Sequence, residues 1–211
     1  NSTVSALRRI SYIEPLLATG DCSGRINIWN TTSGTLLNSF FHTKNRNDCV
    51  TSLDTYKANL TIVLLSSNGQ KYIYRWKIHH TGSNKELKAI DLNEEVYPVC
   101  FKVRILNTSN YLAVAFTNYM IGVYNLSDES TQKIASLKEN TDTIIGIDCF
   151  FQIINNTDRY RFVLVTVAKD KTLRVWETTD ETFSNYTEHK IDLESMPTSI
   201  DYIWDQYFYC N

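Results

Sequence analysis

The chain has 211 residues, 43% hydrophobic and 21% charged, with a formal net charge of −2. These are the proportions of an ordinary globular chain with a sizeable core. The near-neutral charge argues against a general grip on nucleic acid, which needs a surplus of Lys and Arg facing phosphates. Seven Gly and three Pro exclude collagen-like and linker-like sequence, while 13 Tyr, nine Phe and four Trp lean toward strands.

In chain order the sequence predicts one unit repeated. The first, over 4–42, has a strand at 4–8 and an apolar strand at 16–20. A turn through Asp21-Cys22-Ser23-Gly24 leads to an alternating strand at 26–30, and a more polar strand follows at 36–41. The second unit, over 50–92, repeats this at 50–53, 61–65, 73–77 and 87–92, turning through Ser67-Asn68-Gly69-Gln70. The third, over 97–138, has strands at 99–105, 112–116, 121–125 and 133–137 and turns at Asn118-Tyr119. The fourth, over 144–193, has them at 144–150, 162–166, 173–177 and 189–193 and turns at Lys169-Asp170-Lys171. A partial fifth unit over 198–211 opens with a strand at 198–203. Gly and Asn are expected to supply the positive φ of the tight turns. The unbroken apolar runs mark strands covered on both faces, and the charged last strands mark an outer edge that discourages aggregation.

The aromatic residues Trp29, Trp76, Tyr124 and Trp176 close the third strand of successive units, about 50 residues apart, which is near the spacing of propeller blades. The phrases Leu17-Ala18-Thr19-Gly20 with Gly24-Arg25-Ile26-Asn27-Ile28-Trp29-Asn30, and Val165-Thr166-Val167-Ala168-Lys169-Asp170-Lys171-Thr172-Leu173-Arg174-Val175-Trp176-Glu177, resemble the WD40 repeat family. The expected fold is therefore all-β, a divergent WD40-type β-propeller with about four and a half blades in these residues. Such a piece is expected to belong to a longer, seven-bladed propeller or to be completed by a partner chain.

The resemblance implies a buried network of His, Ser/Thr, Asp and Trp in each blade. The fourth repeat matches it at Thr166, Asp170 and Trp176, with the His position falling near Glu139-Asn140. The first keeps Thr19 and Trp29 but has Ser23 where Asp is usual. The second has Ser66 and Trp76, Gln70 in place of Asp, and His42 upstream; the third puts Tyr124 in place of Trp. With partial networks the blades are expected to hold by apolar burial.

The five cysteines, Cys22, Cys49, Cys100, Cys149 and Cys210, form no CxxC pair and stand far apart. They are expected as small buried thiols of a reducing compartment and not as a disulfide framework. Sequons at Asn30, Asn59, Asn107, Asn125, Asn155 and Asn185 are read as chance in an Asn- and Thr-rich chain. The opening Asn1-Ser2-Thr3 shows no Met and no signal-peptide pattern, so the natural N-terminus is expected further upstream. No run is long and apolar enough for a transmembrane helix. The histidines His42, His79, His80 and His189 show no metal spacing, and no GxSxG, HExxH, P-loop or GxGxxG pattern occurs. The chain is accordingly expected not to be an enzyme and to need no cofactor or metal.

Two segments, 153–161 and 178–188, are longer than their equivalents, and insertions in repeat proteins often mark the binding face. Arg159, Tyr160 and Tyr186 in or beside them, with Tyr119, are the candidate partner-binding residues. The expected function is a non-catalytic protein–protein interaction scaffold: a WD-repeat subunit of an intracellular multi-protein complex, in the nucleus, the cytoplasm or both. Its partners are other proteins, with no membrane and no direct nucleic-acid ligand. Within this class, Leu17-Ala18-Thr19-Gly20-Asp21, Arg25-Ile26-Asn27-Ile28-Trp29 and Tyr74-Arg75-Trp76 look similar to the ASTRA-associated WD-repeat proteins, which implies a link to chaperone-assisted assembly of phosphatidylinositol-kinase-related kinases. An alternative is a ubiquitin-ligase substrate receptor, which needs arginines converging on the central channel. Arg25, Arg75 and Arg174 recur by the third strands, where alternation turns them outward. A propeller enzyme acting on a small molecule or glycan needs a deep, carboxylate-lined pocket.

Overall fold

Alternating side chains and tight turns build sixteen strands, and no helix, in the described residues of a computed structural model: 2–10, 15–43, 48–58, 61–79, 81–92, 95–106, 109–126, 131–154, 159–180 and 182–200. They form four antiparallel four-stranded sheets, each made of consecutive strands in sequence order. The first comprises β1 (Val4–Arg9), β2 (Leu16–Asp21), β3 (Arg25–Asn30) and β4 (Leu36–Phe41); the second β5 (Ser52–Ala58), β6 (Thr61–Ser67), β7 (Tyr72–Ile78) and β8 (Asn84–Asp91). The third comprises β9 (Pro98–Leu106), β10 (Ser109–Phe116), β11 (Ile121–Leu126) and β12 (Thr131–Leu137); the fourth β13 (Ile144–Ile153), β14 (Tyr160–Ala168), β15 (Thr172–Thr178) and β16 (Thr187–Asp192). The first strands meet in series, β1 on β5, β5 on β9 and β9 on β13. The sheets are thus blades of a propeller, joined along their inner strands.

Three apolar clusters lie between neighbouring sheets. Ile26 and Ile28 meet Leu64 and Trp76; Leu65 and Ile73 meet Leu112 and Tyr124; Ala113 and Val123 meet Leu164 and Trp176. In the second, third and fourth sheets the aromatic residue of the third strand packs against the preceding sheet, as Trp76 does on Phe40 with ring centroids 4.8 Å apart. Leu17 pairs with Trp29, and Trp29 with Leu36, on the opposite face of the first sheet, where they are half-buried or exposed together with Leu7. On the far face of the fourth sheet, Leu173 pairs with Ile191 and Val165 with Val175; Ile191 is 51% exposed.

Several expectations need correction. Residues 198–200 form no strand, and the remainder of the expected fifth unit, 201–211, lies outside the described residues. The turns at Asn118-Tyr119 and Lys169-Asp170-Lys171 take their positive φ from Tyr119 (67°) and Lys171 (61°), not from Asn. Both occupy the position that Gly24 holds in the first turn, closing a bond to the carbonyl three residues back. Arg75 and Arg174 are buried, because each reaches sideways to its own outer strand. Arg75 Nε donates to the Lys88 carbonyl, Arg174 pairs with Glu188, and Arg25 donates to Ser39 and lies over the Phe41 ring. Cys22 and Cys49 are disulfide-bonded, while Cys100 and Cys149 remain thiols. Sequence spacing hid that pair, because the propeller linker folds 49 back beside the turn at 22.

Candidate interaction surface

The strand order puts the β13–β14 and β15–β16 connections at one end of the fourth sheet, and the two long segments therefore meet. Phe183, from the second connection, is buried and stacks edge-on against Phe162 at 5.0 Å. Phe162 in turn lies 5.0 Å from Phe151 and 5.9 Å from Tyr111 of the third sheet. Edge-to-face and tilted rings at these distances attract beyond their area burial. Asp180 fastens the rest of the connection, accepting hydrogen bonds from the Thr182 amide and hydroxyl and the Ser184 amide. These bonds favour the charged form and hold its carboxyl below the usual range. Thr178 Oγ1 adds a donation to the Asn185 carbonyl at 2.7 Å.

Tyr160 stands beside this plug, 36% exposed, and shares a shallow depression with Tyr111, Phe151, Phe162, Asp180 and Phe183. The depression's volume of about 20 Å³ takes a water-sized group. Arg159 is exposed immediately before it, its carbonyl closing the loop onto the Ile154 amide at 3.0 Å. Ile153, 51% exposed, extends the apolar rim. Tyr186 lies in the β15–β16 connection and donates to Glu139 at 3.3 Å. Burial first, then the Glu139 charge, push its phenol upward. Tyr119 sits in the β10–β11 turn, at the opposite end of its sheet, so the structure does not bring it to this surface.

The network positions also separate. Trp29 Nε1 donates to Thr19 Oγ1 at 2.9 Å and Trp76 Nε1 to Ser66 Oγ at 3.1 Å. In the fourth sheet, Trp176 Nε1, Thr166 Oγ1 and both polar atoms of the Asn140 amide are buried with no hydrogen-bond partner among the described residues. Asp170 binds the turn and linker instead, taking Thr172 and Thr141 amides and hydroxyls. Burial would raise its carboxyl, but these bonds outweigh that and lower it. Tyr124 is buried, its ring lying over Gly122, where a Cβ would come within 2.6 Å of it.

Sequence reasoning missed a belt of charge along the inner strands. Arg8 of β1 lies 2.6 Å from Asp54 of β5; Arg104 of β9 reaches Asp54 at 3.7 Å and Asp148 of β13 at 2.7 Å; Lys102 stands 3.8 Å from Asp148. The Arg8 Nε–H is not aligned for a hydrogen bond, so that contact is an ion pair alone. The signal was a charged residue within each first strand: Arg8 in β1, Asp54 in β5, Lys102 and Arg104 in β9, and Asp148 in β13. Among the described residues no group of three or more His, Cys, Asp or Glu is arranged to hold a metal ion.

No protein-family model matches the chain. Among solved structures it is similar to Raptor from Chaetomium thermophilum, with a TM-score of 0.71 and 12% sequence identity. The match covers 94% of this chain and 18% of the Raptor chain, so this chain spans under a fifth of that protein's length. At this identity the likeness is one of fold, and with the four inner-strand-joined sheets it makes the chain an all-β protein of propeller-like fold.

Proposed function

We propose that the chain serves as a non-catalytic protein–protein interaction scaffold, a WD-repeat subunit of an intracellular multi-protein complex in the nucleus or cytoplasm. One observation carries the reading: exposed Tyr160, Arg159 and Ile153 stand on a rigid aromatic plug at one end of the fourth sheet. Exposed aromatics and Arg on a fixed support lose little freedom on binding and are the side chains that dominate interface energetics. The resemblance to ASTRA-associated WD-repeat proteins makes the assembly machinery of phosphatidylinositol-kinase-related kinases the first partner class to test. The arginines Arg25, Arg75 and Arg174 bind their own outer strands and lend no support to a channel-centred substrate receptor.

The test is mild affinity purification of the full-length protein beside its Tyr160→Ala/Arg159→Ala variant. The wild type should retain a stoichiometric set of proteins, and the variant, with unchanged circular dichroism, should lose at least one of them. Recovery of the wild type only as a free monomer would sink the reading.

A further inference from the structure

We propose that Cys22 and Cys49 form a reversible thiol–disulfide site that exchanges with low-molecular-weight disulfides of the glutathione class. Cys22 is exposed in the β2–β3 turn, and Cys49 is half-buried in the segment that carries the chain from β4 to β5; 27 positions separate them. Contacts that do not involve sulfur hold the two segments together. The Val50 amide donates to the Asp21 carbonyl at 3.1 Å, and the His42 amide to the Gly24 carbonyl at 3.0 Å. Ser5 Oγ donates to the Val50 carbonyl at 2.6 Å, and Val50 packs so closely on Gly20 that a Cβ there would come within 2.5 Å of it. Opening the bond therefore leaves the thiols opposed, and closing it again needs no search through conformations.

Accessibility separates this pair from the other thiols of the described residues. Burial pushes the Cys100 and Cys149 thiols up to about 12, so they stay protonated and withdrawn from exchange. Exposed Cys22 is the entry point. Its thiolate attacks one sulfur of the small disulfide, forming a mixed disulfide and releasing one small thiolate. The Cys49 thiolate then attacks the Cys22 sulfur and expels the second small thiolate. Two protein thiols are oxidised, one small disulfide is reduced to two thiols, and the two cysteine protons end on the leaving groups. The clip lies at the turn end of the first sheet and at the start of β5, whereas Tyr160 begins β14 at the loop end of the fourth sheet. The site is therefore independent of the proposed partner surface.

The experiment equilibrates the full-length protein with glutathione buffers from strongly reducing to strongly oxidising. It then quenches with acid, alkylates free thiols and maps peptides by mass spectrometry. Cys22 and Cys49 should lose alkylation together, one for one, within the buffer range, with Cys100 and Cys149 unchanged and the circular dichroism the same at both ends. In Cys49→Ser, Cys22 should stall as a mixed disulfide carrying one glutathione. The proposal is overturned if both cysteines stay alkylatable at the oxidising end or stay linked at the reducing end. It also fails if Cys22 pairs with Cys210, or if Cys49→Ser acquires no glutathione.

Discussion

Asp54, on the inner strand of the second sheet, accepts the backbone N–H of Val103, on the inner strand of the third, at 2.7 Å. The same carboxylate, fully buried, takes Arg8 from the first sheet on its other oxygen. One side chain thus ties three sheets. Removing it strands the Arg8 guanidinium and the Val103 amide, while Arg104 keeps Asp148 at 2.7 Å; breaking a buried pair in this way costs about 3–5 kcal/mol. The Arg8 and Arg104 side chains are each 25% exposed, and water will soften the loss toward the lower figure. Asp54→Ala should therefore destabilise the protein by about 3 kcal/mol in urea unfolding. A loss below about 1 kcal/mol, the range of surface ion pairs, would show that solvent already screens the belt.

Ser66 and Thr166 occupy matching positions, ten residues before Trp76 and Trp176, yet only Ser66 holds its indole. Ser66→Ala leaves the buried Trp76 N–H without its acceptor and should cost about 1–3 kcal/mol. Thr166→Val replaces a buried hydroxyl that has no hydrogen-bond partner among the described residues with a methyl of the same shape. It should change stability by less than about 1 kcal/mol, or raise it. Parallel chemical denaturation of the two variants checks the contrast, and equal losses would refute it.

His42 is fully buried between the first two sheets, its ring edge-on to Tyr74 at 5.3 Å. Burial depresses its pKa below the ordinary 6.5, against the opposing pull of the Asp48 carbonyl and charge. The unfolded chain therefore takes up a proton at a pH where the folded one does not. The stability linked to His42 is complete above pH 6.5, begins to fall as the pH drops below it, and is lost once the pH has passed the depressed folded value. Asp21 is lowered too: burial raises its carboxyl, but bonds from Ser23 and Arg25 outweigh burial. Its contribution is kept above 3.8 and is lost only as the pH falls through its lower folded value. His42→Phe should flatten the unfolding profile just below pH 6.5 and leave the more acidic limb. An unchanged slope in the upper window would remove His42 as its source.

The repeat was legible because burial on two faces writes itself into the sequence. β10, buried from Tyr111 to Phe116, reads as an unbroken apolar run, and an aromatic residue, Trp29, Trp76, Tyr124 or Trp176, marks each third strand. Charge was harder to place. Arg8 beside Arg9 looks like a solubility pair, and only the curvature that brings β1 onto β5 sets it against Asp54. Strand alternation turned Arg75 and Arg174 outward, but it carries no information on how far a long side chain bends along the sheet to its neighbouring strand. At the candidate surface, loop length alone pointed to the two connections that meet. The separation of Tyr119 from them depends on which end of its sheet a turn occupies.

Lys171 holds a left-handed backbone, φ 61°, at the turn position where the first sheet has Gly24 at 78°. Its side chain is exposed, and its backbone closes the turn through its amide on the Ala168 carbonyl and its carbonyl on the Leu193 amide. A Cβ in this region costs roughly 1–2 kcal/mol, and the extra freedom of glycine in the unfolded chain returns about 0.5–1 kcal/mol of that. Lys171→Gly should therefore stabilise the protein by about 0.5–1 kcal/mol. Lys171→Ala keeps the Cβ and should change little. Lys171→Val, branched at the crowded carbon, should destabilise. Urea midpoints for the three variants test the order Gly, then Ala with the wild type, then Val. A glycine variant less stable than the alanine one would mean that the lysine backbone is not strained, because removing its Cβ would then have relieved nothing.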